Sequence, residues 1–426
     1  MIAATILLLA VVCLYGVPIA RTLDRNVRGS ALIGAGFLLG SGFVGLEMFF
    51  LSVLGVRWSM TAIVLGALPV LVVASGVWRR QPPPLHRETR SGGFANALLN
   101  GVIALPIIGH GFYATWTGLH EWDFFGIWGL KARWFFEHGG IDWSFVQRSI
   151  SHPDYPLLVP LLYDFVAVAG GRWEERSLGL IFTFMCAAVI LIARDMLIEE
   201  GFAIGTLAVV FPALNMWVGL AEGAVMAFGC AGLLFIRRGS MALGAVLLGF
   251  AAWSKNEGLA LIGAVVVALV IARRWRDAIR LWPALAVIAP WLITRAVLAL
   301  PTDFVDGRVF HRMLTRIADP WTTLRVFASL PAELFWIAVA LVLVIYVRAA
   351  WTRERFLTTA LVVQMLLFFA QGIATRAEFR PHVSLTMNRL PQQLAPAFAF
   401  LAVVLVFPDL IVGARRRAGS TTPPPN

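Results

Sequence analysis

The sequence predicts an all-α, polytopic transmembrane protein of about 13 helical spans with a large extracytoplasmic first loop. Composition is the first reason. Of the 426 residues, 59% are hydrophobic and only 14% charged, with a mean hydropathy of +0.80. Soluble domains are roughly 45–50% apolar and about 25% charged, so this chain lacks the polar residues that a water-facing surface needs. Spacing is the second reason. Apolar runs recur near the roughly 20 residues that a helix needs to cross a bilayer. The arginines are the third, because they cluster in short segments between those runs. Disorder, a disulfide scaffold and an ordinary cytosolic enzyme are excluded.

The expected spans are 2–20, 31–54, 59–78, 94–116, 177–193, 202–218, 221–236, 240–252, 258–272, 281–298, 329–347, 357–373 and 391–411. Runs 240–252 and 258–272 are short and predict tilted or broken helices. Met1 opens directly into an apolar run, with no basic leader and no small-residue cleavage site, which reads as a retained helix. With the N-terminus outside, twenty of the 35 basic residues fall in short cytoplasmic loops, from Arg21, Arg25 and Arg28 to Arg415, Arg416 and Arg417. This is the positive-inside pattern. It puts the C-terminus in the cytoplasm and accounts for the net charge of +11 with the lipid bilayer as partner and no nucleic acid.

Segment 156–171 carries Asp164 and two prolines. A crossing there would invert every later basic cluster, so the segment is expected to be interfacial or re-entrant and shielded by protein. The chain divides into residues 1–93, three spans and a basic Pro-rich linker; 94–412, the main module with its outer loop 117–176; and 413–426, a disordered tail. Further outer segments are 299–328 and 374–390. Polar complexity gathered on one face predicts that the chemistry lies there. Cys13, Cys186 and Cys230 lie in apolar runs with neither metal spacing nor an expected pairing.

The first outer loop reads WTGLHEWDFFGIWGLKARWFFEHGGIDWSFVQRSISHPDYP. Glu121 and Asp123 stand where the helix meets water. Carboxylates there suit a general base, a metal ligand or an acceptor for a polyhydroxylated substrate. At i and i+2 they do not share a helix face, so one catalytic and one structural carboxylate is expected. The aromatic residues from Trp122 to Phe136 would seat the loop in the membrane interface. Lys131 lies among them. In His152-Pro153-Asp154-Tyr155-Pro156 two prolines hold a polar cluster on a fixed backbone.

Glu47, Glu222, Arg295 and the SKNEG turn with Lys255, Asn256 and Glu257 lie inside or at the edge of spans. Ionisable groups there are paired or functional by default. Glu47 reads as pairing with another span, and the SKNEG turn as capping broken helices around a polar cavity. The last outer loop offers Arg376, Arg380, His382, Asn388 and Arg389, and arginine donors suit phosphate oxygens.

Several of these segments, in this order, resemble the GT-C membrane glycosyltransferases, in particular the protein O-mannosyltransferase and aminoarabinose-transferase superfamily. EWDFFGIWGLKA resembles the acidic first outer loop of that family. HPDYPLLVPLLYDFVA resembles its proline-rich return, and RSLGLIF the start of the next span. FPALNMWVGLAEGAVMAF resembles the hairpin with an outer acidic residue, here Glu222. WSKNEGLA and LTMNRLPQQLAP resemble two further turns. The chain departs from the family plan in placing three spans ahead of the acidic loop's own helix, and His152-Pro153 stands where a lysine is usual.

The resemblance implies an inverting hexosyl- or pentosyltransferase. Its donor would be a polyprenyl-phosphate sugar and its acceptor a glycan, lipid or protein on the outer face of a bacterial inner membrane. It implies Asp123 as the base with Glu121 as runner-up, and Arg389, Lys255 and Lys131 as cations for the donor phosphate. Asp154, Tyr155, Glu222, Glu257 and His152 would orient sugar or acceptor. No metal motif is visible and no cofactor is required, while a divalent cation held by Glu121 and Asp123 stays open. The competing reading is a membrane transporter or flippase, which would also use broken helices and intramembrane charges.

Overall fold

The computed structural model describes residues 1–80, 93–148, 152–215, 218–302, 307–328, 333–375 and 379–419, without the side chains of 327, 379–382, 385 and 409–419. Most of the Pro-rich linker, the end of the tail, Arg376 and the side chains of Arg380 and His382 therefore lie outside the described residues.

Four long helices open the chain: α1 (Ile2–Leu23), α2 (Gly29–Val53), α3 (Met60–Arg80) and α4 (Phe94–Thr117). Short helices follow: α5 (Gly129–His138), α6 (Trp143–Gln147), α7 (Leu158–Gly170) and α8 (Glu175–Leu178). The centre is built by α9 (Leu180–Glu199), α10 (Thr206–Leu214), α11 (Ala221–Arg238), α12 (Met241–Ser254), α13 (Asn256–Ile271), α14 (Trp275–Ile279) and α15 (Trp282–Val297). The chain closes with α16 (Val309–Ala318), α17 (Pro320–Ala328), α18 (Leu334–Ile345), α19 (Val347–Thr352), α20 (Arg355–Ala374), α21 (Phe379–Arg389) and α22 (Ala395–Gly419). The described residues contain no strand.

Among the described residues eight helical stretches are long and apolar enough to cross a membrane, which makes this a multi-pass membrane protein. The other expected spans fall on α10, α11, α12, α13 and α18, which are shorter or more charged. The two short runs form α12 and α13, of 14 and 16 residues, broken at Lys255. The doubtful segment 156–171 is α7, whose residues from Leu158 to Ala167 are all buried inside the protein.

Packing runs from a fully covered centre to a greasy rim. Every residue of α11 from Ala221 to Ile236 is buried. On the rim, Leu65 and Val72 of α3 and Leu105 and Phe112 of α4 are 60%, 68%, 70% and 72% exposed. Helices that are apolar on their uncovered faces suit hydrocarbon. Close packing of α1 on α2 depends on glycine. A Cβ on Gly16 would stand 1.9 Å from the Gly36 carbonyl oxygen, and one on Gly40 would stand 2.0 Å from that of Val12. Small residues of this kind let backbones touch where lipid removes the hydrophobic drive for association. Glu47 of α2 packs against Gly66 of α3, where an added Cβ would meet Oε1 at 2.3 Å.

Charge is sorted to the two ends of this bundle. One end carries Arg237 between Glu200 and Glu354, both at 2.6 Å, Arg238 beside Glu199 at 2.6 Å, and Arg274 on Asp277 at 2.9 Å. The other end carries the cluster described below. Beside that cluster, α16 and α17 form an amphipathic pair. Phe310, Leu314, Ile317, Trp321 and Leu324 make one exposed apolar stripe. From the opposite side of α16, Arg312 and Arg316 donate to the carbonyls of Ile373, Ala374 and Thr375 at the end of α20.

Candidate functional site

Local structure places the acidic loop. Helix α4 stops at Gly118, whose φ of +66° suits glycine. Asp123 then precedes a π-helical turn, Phe124–Trp128, which widens the helix before α5. Such turns interrupt the usual ladder and recur at functional sites. Phe124, Trp128 and Phe135 are 0–1% exposed, so these aromatic residues belong to the core, whereas Trp122 and Phe125 stay exposed as interface anchors would.

Asp123 is drawn into an ion-pair chain. Arg389, at the end of α21, holds Asp123 Oδ2 with Nη1 at 2.8 Å and Glu222 Oε1 with Nη2 at 3.2 Å. The Lys255 ammonium reaches the same Glu222 oxygen at 2.9 Å and Glu257 Oε1 at 3.2 Å. The order is therefore Asp123, Arg389, Glu222, Lys255, Glu257. The side chains of Glu222, Glu257 and Lys255 are 1%, 5% and 6% exposed, and those of Arg389 and Asp123 about a fifth. Arg389 Nε and Glu222 Oε2 are buried with no hydrogen-bond partner among the described residues.

Helix ends hold the carboxylates. Glu222 lies in the first turn of α11 and Glu257 in the first turn of α13. A carboxylate there is favoured by the positive end of the helix dipole. Lys255 bridges these two helix starts from an extended backbone at the α12–α13 break. The turn is tight: a Cβ on Gly258 would stand 2.1 Å from the Ala251 carbonyl oxygen.

The proline turn closes over this chain. Asp154 is fully buried and accepts from Asn256 Nδ2 at 3.2 Å, with Arg295 Nη2 at 3.9 Å. Lys131, 1% exposed, donates to the His152 carbonyl at 2.7 Å. His152 has a left-handed φ of +47°, a conformation that costs on the order of 1–3 kcal/mol. Its ring stacks on Tyr155 at 4.6 Å, and Tyr155 stacks on Trp128 at 5.3 Å. Burial pushes the Tyr155 phenol well above its ordinary range. Lys255 works against that, while Glu257, Asp154 and Glu222 add to it, so this ring sits in the field of the whole cluster.

Nine of the ten sequence candidates thus come together: Asp123, Lys131, His152, Asp154, Tyr155, Glu222, Lys255, Glu257 and Arg389. Glu121 does not. It lies 3.6 Å from His120, and among the described residues it makes no ion pair with Arg389. Lys131 is engaged with the His152 backbone, so it supports the turn. Among the described residues no three His, Cys, Asp or Glu side chains stand where they could hold a metal ion together.

Sequence reasoning missed two amides. Gln371 Nε2 donates to Glu257 Oε1, and Gln364 Nε2 to the Glu257 carbonyl, both at 3.3 Å. They stand seven residues apart, on one face of the otherwise apolar α20, and that spacing was the available signal. A second signal was composition. Lys131 and Lys255 are the two lysines among 35 basic residues, and both lie here.

A scan against family models, a search of curated proteins and a search of solved structures return no match.

Proposed function

We propose that this chain is a GT-C-type glycosyltransferase that moves a sugar from a polyprenyl-phosphate donor to an acceptor hydroxyl at the membrane surface. The observation that carries this reading is the contact of Asp123 with Arg389 at 2.8 Å. It puts a candidate base beside a candidate phosphate-binding cation at one end of a membrane bundle. In this reading all thirteen runs cross, the cluster faces the outside of a bacterial inner membrane, and the Arg237 end faces the cytoplasm.

Asp123 takes the proton of the acceptor hydroxyl as its oxygen attacks the anomeric carbon. The bond from that carbon to the phosphate oxygen breaks, with inversion. The leaving phosphate gathers negative charge, and Arg389 and Lys255 are fixed cations in a poorly solvated setting, where such stabilisation is strongest. Glu222 and Glu257 hold those cations in position. Asp154 and Tyr155 line the same cluster and would orient the sugar.

In the ligand-free chain Arg389 is already occupied by Asp123 and Glu222. A phosphate arriving at Arg389 competes with Asp123, so binding the donor and freeing the base become one event. A base tied to a cation is a weak base.

The test is turnover in liposomes with a panel of polyprenyl-phosphate sugars, a membrane extract as acceptor source, and Asp123→Asn as control. Release of polyprenyl phosphate by the wild type and not by Asp123→Asn is expected. Equal release by both would remove Asp123 as base. Movement of a lipid-linked substrate across the bilayer with no bond cleaved would replace the transferase by a flippase.

A further inference from the structure

A cavity of about 750 Å³ opens on the lipid-facing rim between the start of α1 and the end of α4. Its walls are Ile2, Phe112, Tyr113 and Trp116, with Thr115 and Arg176 as the polar lining. Phe112, Tyr113 and Trp116 are 72%, 51% and 85% exposed. The volume falls within the range of about 300–1,000 Å³ typical of small-molecule sites.

Charge identifies what would occupy it. Arg176 is exposed and has no ion pair among the described residues. The adjacent carboxylates are engaged elsewhere: Glu174 accepts from the Ser177 hydroxyl, and Glu175 from Trp173 Nε1 at 3.4 Å. Arg172 brings a second guanidinium towards the same rim, its Nε 3.0 Å from Met1 Sδ, next to Ile2. An apolar groove in lipid with a guanidinium at its mouth matches an acyl chain joined to an anionic headgroup. Two exposed aromatics near the mouth suit the depth at which headgroup meets hydrocarbon.

We infer that this groove holds one anionic phospholipid, its chain against Phe112 and Trp116 and its phosphate on Arg176. The position gives the lipid a structural consequence. Arg176 lies against Gly118, where an added Cβ would stand 3.9 Å from its Cγ, and Gly118 begins the six-residue path to Asp123. A lipid seated here braces the end of α4 and hence the root of the acidic loop.

Native mass spectrometry of the detergent-purified full chain tests this, with phosphatidylglycerol, phosphatidylcholine of the same chains and undecaprenyl phosphate as separate probes. Arg176→Gln should retain phosphatidylglycerol about fivefold less well than the wild type, the upper value for one exposed ion pair. Thr115→Phe, which fills the groove and keeps Arg176, should retain one phosphatidylglycerol fewer. Phosphatidylcholine should be indifferent to Arg176→Gln. Unchanged phosphatidylglycerol binding in both variants overturns the site. Loss of undecaprenyl phosphate alone also overturns it, because the groove would then belong to the carrier lipid. Size-exclusion profiles matching the wild type establish that both variants are folded.

Discussion

The two ends of α11 hold ion-pair networks that share the same kinds of partners and differ in cost. At Arg237 the partners are 11–35% exposed, and each charge meets its opposite across helices that would pack there anyway. The outermost of these, to Glu200 at 35% exposed, is worth at most about 1 kcal/mol. At Glu222 the partners are 1–6% exposed on the Lys255 side. Taking such charges out of water costs several kcal/mol per ion, and apolar residues of the same shape would often be as stable. Stability explains the first network as a clasp between helices. It does not explain the second, where Glu222, Lys255 and Glu257 are almost wholly removed from water and Arg389 Nε and Glu222 Oε2 have no hydrogen-bond partner among the described residues.

The comparison can be broken most readily through Asp123. Asp123→Asn should lower turnover about 10²- to 10⁴-fold, the usual contribution of a general base, while thermal unfolding in detergent shifts little. A large stability loss with activity retained would make both ends structural. Next comes Glu222→Gln, which leaves two buried cations without their shared carboxylate. Denaturant unfolding should show a loss of about 3–5 kcal/mol. Adding Lys255→Met to it should give a non-additive result, with a coupling of about 0.5–3 kcal/mol in a double-mutant cycle.

The matching change at the other end, Glu200→Gln, should cost no more than about 1 kcal/mol and leave turnover intact. A drop as large as that of Glu222→Gln would erase the distinction. The most local effect belongs to Asp142, which caps α6 by accepting from the backbone of Ser144 and Phe145. Burial works against its charge, but the hydrogen bonds from Trp134, Ser144 and Phe145 prevail and hold the carboxyl down at about 2. Because the folded value is depressed, this cap is fully effective above the ordinary carboxylate range. Its contribution disappears as pH falls towards 2. Asp142→Ala should remove that acid dependence and cost about 0.5–2 kcal/mol in unfolding.

Apolar periodicity made the helices legible, because a run that must be buried in lipid cannot hide in a sequence. Its limit is seen at α7. Asp164 and two prolines argued against a crossing, but only packing reveals that ten consecutive residues there are buried by protein. The site was legible wherever a charge interrupted an apolar run, as at Glu222, Lys255 and Glu257. Sequence could not say which carboxylate of Glu121 and Asp123 turns inward. That depends on the π-helical turn after Asp123 and on the reach of Arg389 from a helix more than 260 residues away. The role of Lys131 was equally hidden, since its partner is a backbone carbonyl and a carbonyl carries no sequence signal.

Glu222 and Arg237 are separated by fifteen residues of α11, about 22 Å of helix, with no charge between them. Sliding this helix by one turn in either direction would carry a paired ion into the apolar interior of the bundle. The helix therefore works as a spacer, holding the two ion-pair networks a fixed distance apart. In the proposed orientation that distance runs across the bilayer, so a membrane several ångströms thicker or thinner would meet it as a hydrophobic mismatch, with the strain falling on the surrounding lipid or on the tilt of the outer helices.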